Sequence, residues 1–325
     1  MIVSKNVRSR AIKISEYVEQ RLLCPQTKNK LIRNGEYLEN EVDRSIRYPI
    51  IEGIPILIDS EKSLFSVEDF IKGQDTTFNL KPEHPVKKIV KRMIPDISVN
   101  LKANKNYAYL ASSLPAGAKI LVIGGSIKGE GMEPIYDNES FEIVGSDVSF
   151  GEYTSLVSDA HDIPFDECTF DCVIVQAVLE HVLDPNRCVA EIHRVLKPSG
   201  IVYSETPFMQ QVHMKQYDFT RFTHLGHRWL FKNFEEIESG PCCGPGMSLA
   251  WAYSGFLKSF ASTKIPYLIA SKLANITSFF FKYFDRLIID RPAAYDAASG
   301  FYFIGRKSDR AITGKELIKG FRGMK

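Results

Sequence analysis

The chain has 325 residues, of which 44% are hydrophobic and 25% charged, and its formal net charge is +2. That is the composition of a globular protein, long enough for one large domain with an appendage or for two domains. A charge near zero excludes a global field that would gather nucleic acid, and no run of about 18 uncharged apolar residues is present to span a membrane. The six cysteines (Cys24, Cys168, Cys172, Cys188, Cys242 and Cys243) are scattered, without a Cys-x-x-Cys pair. This usage fits reduced thiols in a cytoplasmic protein better than a disulfide framework. The opening stretch MIVSKNVRSRAIK is basic but is followed by no apolar core, so it is not read as a secretory signal.

Residues 1–62 read as a small β-rich unit. "LLCPQTKNKLI" turns at Cys24-Pro25, and "YPIIEGIPILI" sets prolines and a glycine among β-branched residues. Residues 63–104 read as linker and helices, including the amphipathic "VKKIVKRMI" at 86–94. From 105 to 310, strands and helices alternate. Strands are predicted at 118–124, 141–146, 154–158, 171–176, 200–205, 234–239 and 300–307. "DPNRCVAEIHRVLKPSG" is predicted as a helix. Asp184 is its N-cap, Pro185 its first residue, and Pro198-Ser199-Gly200 its stop. Such alternation predicts an α/β fold, a mostly parallel sheet with helices on both faces and a ligand beyond the strand C-termini. Residues 240–299 form an aromatic-rich, helical insertion before the last strand. The basic tail, 311–325, is read as solvated.

"ILVIGGSIKGEGM", Ile120 to Met132, is an apolar run that breaks into glycines. A phosphate-binding loop needs Gly-Lys-Ser/Thr, but Lys128 is followed by Gly129. The dinucleotide fingerprint G-x-G-x-x-G is one glycine short, because Ser126 stands at its second position. Asp147, about twenty residues on, is placed to accept from ribose hydroxyls, which suits any adenosine cofactor.

The discriminating stretch is 158–207. It contains Asp159-Ala160, Pro164-Phe165, Phe170-Asp171, "LEHV" (179–182), Asp184-Pro185, Glu191, and "RVLKPSG" (194–200). In these elements the chain resembles the class I S-adenosylmethionine-dependent methyltransferases, especially the ubiquinone/menaquinone-biosynthesis branch, over roughly 105–239. The resemblance implies a Rossmann-like, seven-stranded, mostly parallel sheet and S-adenosyl-L-methionine as cofactor. It implies that Gly124 and Gly125 admit the methionine part and that Asp147 binds the ribose. Asp159 and the Ala160 N–H would then read the adenine, with Gln176 under the methionine end. The chain departs from the family at Val122, where an acid is usual, at Ser126, and in the longer "IKGEG" loop. Either Glu130 supplies the missing charge, or the loop has lost its cofactor.

The N-terminal unit resembles the zinc-ribbon-derived activators of transfer-RNA and protein methyltransferases. Only Cys24 remains of the usual ligands, with Thr27 where a second cysteine would fall, so no metal is expected. The segment 205–231 follows the fifth predicted strand, where the family builds its acceptor pocket. Tyr217, Asp218 and Arg221 are expected to bind the acceptor. His213, and second His181, are candidate proton acceptors. His224 and His227 are read as caps of the helix carrying Trp229. The insertion either roofs the acceptor site or lies on a membrane surface. Together these readings predict methyl transfer, on oxygen, to a small-molecule, glycan or lipid-linked acceptor. The alternatives are an RNA or protein methyltransferase, and a non-catalytic descendant with a decayed donor loop.

Overall fold

One sheet of eleven strands runs through the described residues. The structure is a computed structural model that describes residues 14–74, 76–77 and 95–325. The basic first thirteen residues and the amphipathic stretch 86–94 lie outside the described residues. The N-terminal unit supplies β1 (Leu31–Asn34), β2 (Tyr37–Asn40), β3 (Arg47–Ile51) and β4 (Ile54–Leu57) as an antiparallel meander. The remaining strands are β5 (Lys119–Ile123), β6 (Glu142–Asp147), β7 (Leu156–Ser158), β8 (Phe170–Gln176), β9 (Leu196–Pro207), β10 (Phe234–Cys243) and β11 (Gly300–Lys307). Their order across the sheet is β1-β2-β3-β4-β7-β6-β5-β8-β9-β11-β10. Strands β4 to β9 pair in parallel along that order, while β11 runs antiparallel to both β9 and β10.

The apolar runs are continuous because both faces of the sheet are covered, as parallel sheets require. Alternate residues feed two cores. Leu121, Ile123, Val173, Val175 and Val202 pack into one, while Ile120, Val122, Ile174, Ile201 and Tyr203 pack into the other. Val122 stands where the family carries an acid. It is 1% exposed and belongs to the second core, so an isolated charge there would need a partner.

The N-terminal unit does not stand apart. Ile56 and Leu57 of β4 pair in register with Val157 and Ser158 of β7, so the short β7 is no longer an edge. Leu22 bridges Phe165, and the Leu23 N–H donates to the Pro164 carbonyl. Cys24 is buried, 3.4 Å from the Tyr48 hydroxyl. All six cysteines are free.

Several expectations need correction. The helix after β8 spans Pro185–Val195, with Asp184 accepting from the Arg187 N–H at 3.1 Å. It ends before Pro198. Strand β9 already starts at Leu196, because the Thr169 N–H bonds the Val195 carbonyl and Phe170 pairs with Leu196. Strand β10 continues to Cys243, taking the first residues assigned to the insertion. The tail is docked rather than solvated. Leu317 is 8% exposed, and Arg322 donates to Glu236 and the Ser239 carbonyl at 2.6 Å each.

His224 and His227 do not cap their helix. Thr223 does, accepting from the Gly226 N–H at 3.0 Å. The two rings are buried, His224 against the Ser239 hydroxyl and His227 against the Ser204 hydroxyl, each at 2.9 Å. Burial holds both far below the ordinary imidazole range, at about 3. An unfolded chain protonates both near pH 6.5, while the folded chain resists until about 3. Stability is therefore full above pH about 6.5 and falls with pH below it, by up to roughly 1.4 kcal/mol per pH unit for each ring. Urea unfolding at pH 7 and pH 5 checks this. His227→Gln should flatten the difference, and equal stability of the parent at both pH values refutes the assignment.

Candidate active site

The C-terminal ends of β5 to β9 open into one cavity of about 400 Å³. Its position follows from the parallel order, since each strand points its last residue toward the same rim. The lining includes Gly124, Gly129 and Glu130 of the glycine loop, Asp147 ending β6, Asp159 and Ala160 after β7, Gln176 ending β8, and Glu205 in β9. Four carboxylates thus line the cavity, and among the described residues no lysine or arginine does.

Asp147 is 6% exposed and accepts from the Ser126 N–H at 3.1 Å, so the residue that breaks the glycine fingerprint is the one that anchors the acid. Burial pushes its carboxyl up, against the hydrogen bonds from Ser126. Asp159 is engaged on both oxygens, by the Ser63 hydroxyl at 2.6 Å and by the His161 ring at 2.6 Å. Burial raises its carboxyl, but these bonds outweigh burial and hold it below the usual carboxylate range. Oδ1 also accepts from the His161 N–H at 3.0 Å, so the acceptor capacity that remains is on Oδ2. Ser63, Leu64 and Phe65 come from the segment after β4, so the N-terminal unit walls this end.

Gly124 and Gly125 differ in role. Gly124 lines the cavity at φ +74°, a left-handed backbone that favours glycine, and a Cβ there would meet Val178 at 2.4 Å. Gly125 does not line the cavity. A Cβ on it would meet the Val122 carbonyl at 2.7 Å and the Gly145 Cα at 2.9 Å, so it serves the approach of β5 to β6.

At the far end of the loop, Glu205 is 6% exposed and is the buried acid there. The Asn100 amide reaches it at 2.8 and 3.0 Å, the Gln176 amide at 2.9 Å, and the Tyr203 hydroxyl also donates to it. Burial pushes its carboxyl up against these three donors. Glu130 is exposed and accepts only a 3.4 Å bond from the Asn100 N–H with its side chain. The 3.4 Å bond between its carbonyl and the Gln176 amide ties the loop to β8. Gly129 passes directly over that amide, since a Cβ on it would lie 2.0 Å from Gln176 Oε1. Sequence reasoning counted Glu205 with the acceptor loop. The signal for its actual place was its alignment opposite Gln176 in adjacent parallel strands, which only register shows.

His181 and His213, far apart in sequence, come together with ring centroids 4.8 Å apart. His181 lines the cavity, and its Nδ1 lies 2.7 Å from the Tyr217 carbonyl. A carbonyl only accepts, so Nδ1 carries the proton and Nε2 a lone pair. His213 Nδ1 likewise faces the Gln211 carbonyl and Asp218 Oδ2, each at 3.4 Å. Beside both rings lies Glu180, fully buried, whose carboxylate oxygens have no hydrogen-bond partner. Burial pushes Glu180 up to about 8 and His181 down to about 4. Sequence reasoning passed over Glu180, although it is the acid of "LEHV".

Of the residues expected to bind the acceptor, only Tyr217 lines the cavity, with its ring 5.7 Å from that of Phe65. Asp218 and Arg221 form a two-pronged ion pair beneath it. Arg221 also donates to the carbonyls of Gln210, Gln211 and Thr220, so its N–H groups are spent on holding the loop. The remaining wall on this side is apolar and includes Met214, Cys243 and Met247.

Residues 129–204 match a family described as a methyltransferase domain. The chain is 35% identical over 95 residues to the ubiquinone/menaquinone biosynthesis C-methyltransferase of Saccharophagus degradans, covering 27% of this chain and 38% of that protein. It is 43% identical over 64 residues to the chloroplastic 2-phytyl-1,4-beta-naphthoquinone methyltransferase of Arabidopsis thaliana, covering 17% of this chain and 24% of that protein. The chain thus spans only about a quarter to two fifths of the length of these curated relatives. Among solved structures, Haemonchus contortus phosphoethanolamine N-methyltransferase 2 with S-adenosyl-L-methionine is similar at 18% identity and a TM-score of 0.40, over 63% of this chain and 53% of that one. Glu130, Asp147, Asp159 and Gln176 line the cavity and fall inside the matched stretch, as does the buried Glu180 beside it.

Proposed function

We propose that the chain transfers a methyl group from S-adenosyl-L-methionine to a small molecule with an apolar part. The observation that carries this reading is the charge of the cavity, which among the described residues has four carboxylates and no lysine or arginine. A phosphate-bearing cofactor needs donors and counter-charge. A sulfonium cofactor with an ammonium group is cationic at its reacting end and is favoured by acids. In this reading Asp147 takes the ribose hydroxyls. Adenine lies between Phe65 and the Asp159-Ala160-His161 turn, and the methionine end reaches Gln176 and Glu205. Glu205 then supplies the acid absent at Val122. The methyl donor arrives activated, so alignment and exclusion of water carry much of the catalysis.

The two curated relatives named above are by name a ubiquinone/menaquinone-biosynthesis and a naphthoquinone methyltransferase, which supports a small apolar acceptor entering past Met214 and Met247. Whether the methyl lands on carbon or oxygen is read from the product. A cavity with no lysine or arginine among its described lining residues weighs against RNA as acceptor.

The helical insertion supports a lipid surface as the place where the acceptor is met. The helix Lys264–Ser278 packs on Pro245–Lys258 through small residues, with Ala274 and Ser278 fully buried. Its larger apolar residues, Ile265, Leu268, Ile269, Leu273 and Ile276, face outward at 48–72% exposure and fall on one stripe at helical spacing. Phe256, Phe260, Phe284 and Leu287 of the neighbouring helices are exposed too, as are Lys264 and Arg286, while Lys272 falls within the stripe itself. Among the described residues no helix is long and apolar enough to cross a membrane. An outward apolar stripe with basic residues beside it matches a helix lying in an interface.

Calorimetry with S-adenosyl-L-methionine tests the donor site. Asp147→Ala should weaken binding by about one to two decades, since hydrogen bonds to a charged acceptor contribute about 1.5–3 kcal/mol. Gly129→Ala should leave the unfolding midpoint little changed, because it displaces only the end of the Gln176 side chain, yet weaken binding more than tenfold. Absence of binding by the parent chain defeats the reading. For the surface, flotation with phosphatidylcholine/phosphatidylglycerol vesicles should recover the parent chain. It should lose the triple variant Phe260→Asp, Ile265→Asp, Leu287→Asp. Equal recovery of both rules out the lipid contact.

A further inference from the structure

In the cluster of Glu180, His181 and His213 the atoms that face one another are ring Nε2 lone pairs and carboxylate oxygens. Glu180 Oε1 lies 3.6 Å from His181 Nε2 and 3.8 Å from His213 Nε2. The ligand atoms of the three residues all lie within 4.8 Å of one another. Each ring donates its Nδ1–H outward, His181 to the Tyr217 carbonyl and His213 toward Gln211 and Asp218. Two nitrogen lone pairs are therefore turned toward one carboxylate. That carboxylate is fully buried, with no hydrogen-bond donor on either oxygen. The nearby guanidinium of Arg221 does not neutralise it, because its N–H groups go to Asp218 and to loop carbonyls. Lone pairs facing a buried carboxylate are unfavourable unless a proton or a cation lies between them, and separations of 3.6 and 3.8 Å are too long for a shared proton.

We propose that Glu180, His181 and His213 hold a divalent transition-metal ion of the zinc type at the acceptor end of the cavity. Two ligands about 2.0–2.1 Å from a tetrahedral ion stand about 3.4 Å apart, close to the separations of Glu180 from the two rings. Two imidazoles and a carboxylate with an open fourth position form the ligand set of catalytic zinc. Both rings also have the outward partner, a carbonyl or a carboxylate, that fixes the tautomer of metal-binding histidines. Among the described residues of the N-terminal unit no such set is found; these ligands come from the turn after β8 and from the loop after β9. Because His181 lines the cavity beside Tyr217, an ion held by the three residues would border the acceptor end and would suit an oxygen donor on the acceptor. The two histidines expected as proton acceptors then hold the ion instead. Only the use of the ion rests on the proposed methyl transfer, not its binding.

The test uses the full chain, stripped with a chelator and titrated with cobalt(II) followed by absorption and with zinc(II) followed by calorimetry. One equivalent should bind, giving the visible bands of tetrahedral cobalt without a thiolate charge-transfer band. Glu180→Gln and His213→Gln should each weaken binding at least tenfold while leaving affinity for S-adenosyl-L-methionine within about twofold. His213 is partly exposed, so its variant remains informative if Glu180→Gln does not fold. Absence of a one-equivalent transition, equal affinity of a folded variant, or a thiolate band overturns the proposal. A chain that binds cobalt at this site but not S-adenosyl-L-methionine upholds the metal site and removes the donor reading.

Discussion

The structure depends on a sheet whose two faces are both buried. Once Leu121 and Ile123 go to one core and Ile120 and Val122 to the other, β5 meets the cavity only at its C-terminal end, through Val122 and Ile123. The same holds for β8. Polar chemistry is pushed to where strands end, and the parallel order of β4 to β9 brings those ends to one rim. Asp147 and Gln176 end strands that are apolar inside, and Glu205 stands opposite Gln176 in β9.

Burial at that rim also sets the character of the acids. Asp147 and Glu205 are both raised by desolvation, yet each carries donors that favour its charge. Asp159 falls the other way, because Ser63 and His161 together outweigh burial. Glu180 has desolvation without donors, which is why it stands apart from the other three. Carboxylates a few residues from strand ends thus differ in what completes them: backbone N–H groups, side-chain amides, an imidazole, or a cation.

Much of the frame was legible in the sequence because it is local. Strand 300–307 was read at its observed bounds, since "GFYFIGRK" is β-rich and flanked by turn residues. Asp184-Pro185 marked a helix start because capping and a fixed proline φ act within one turn. Asp147 and Asp159 were found through motif order, and both line the cavity. What stayed hidden was non-local. Nothing in "IPILI" says that Ile56 will pair with Val157. His213 and Glu180 are separated by more than thirty residues, and their approach depends on the loop that Arg221 pins. The tail read as solvated because basic residues usually are. It docks because Glu236 lies between Arg228 and Arg322, a geometry set by β10.

The bond from Ser63 to Asp159 has a consequence beyond the site itself. Ser63 follows β4, the strand that joins the N-terminal unit to the sheet, and the next two residues wall the cavity. A ligand that fills that end presses on Phe65 and on the acid that Ser63 holds. Occupancy and the anchoring of the N-terminal unit are then one thermodynamic linkage. Each tenfold excess of ligand over its dissociation constant adds about 1.4 kcal/mol against any opening that frees residues 63–65. The appendage is therefore a part of the sheet whose local stability reports how full the cavity is.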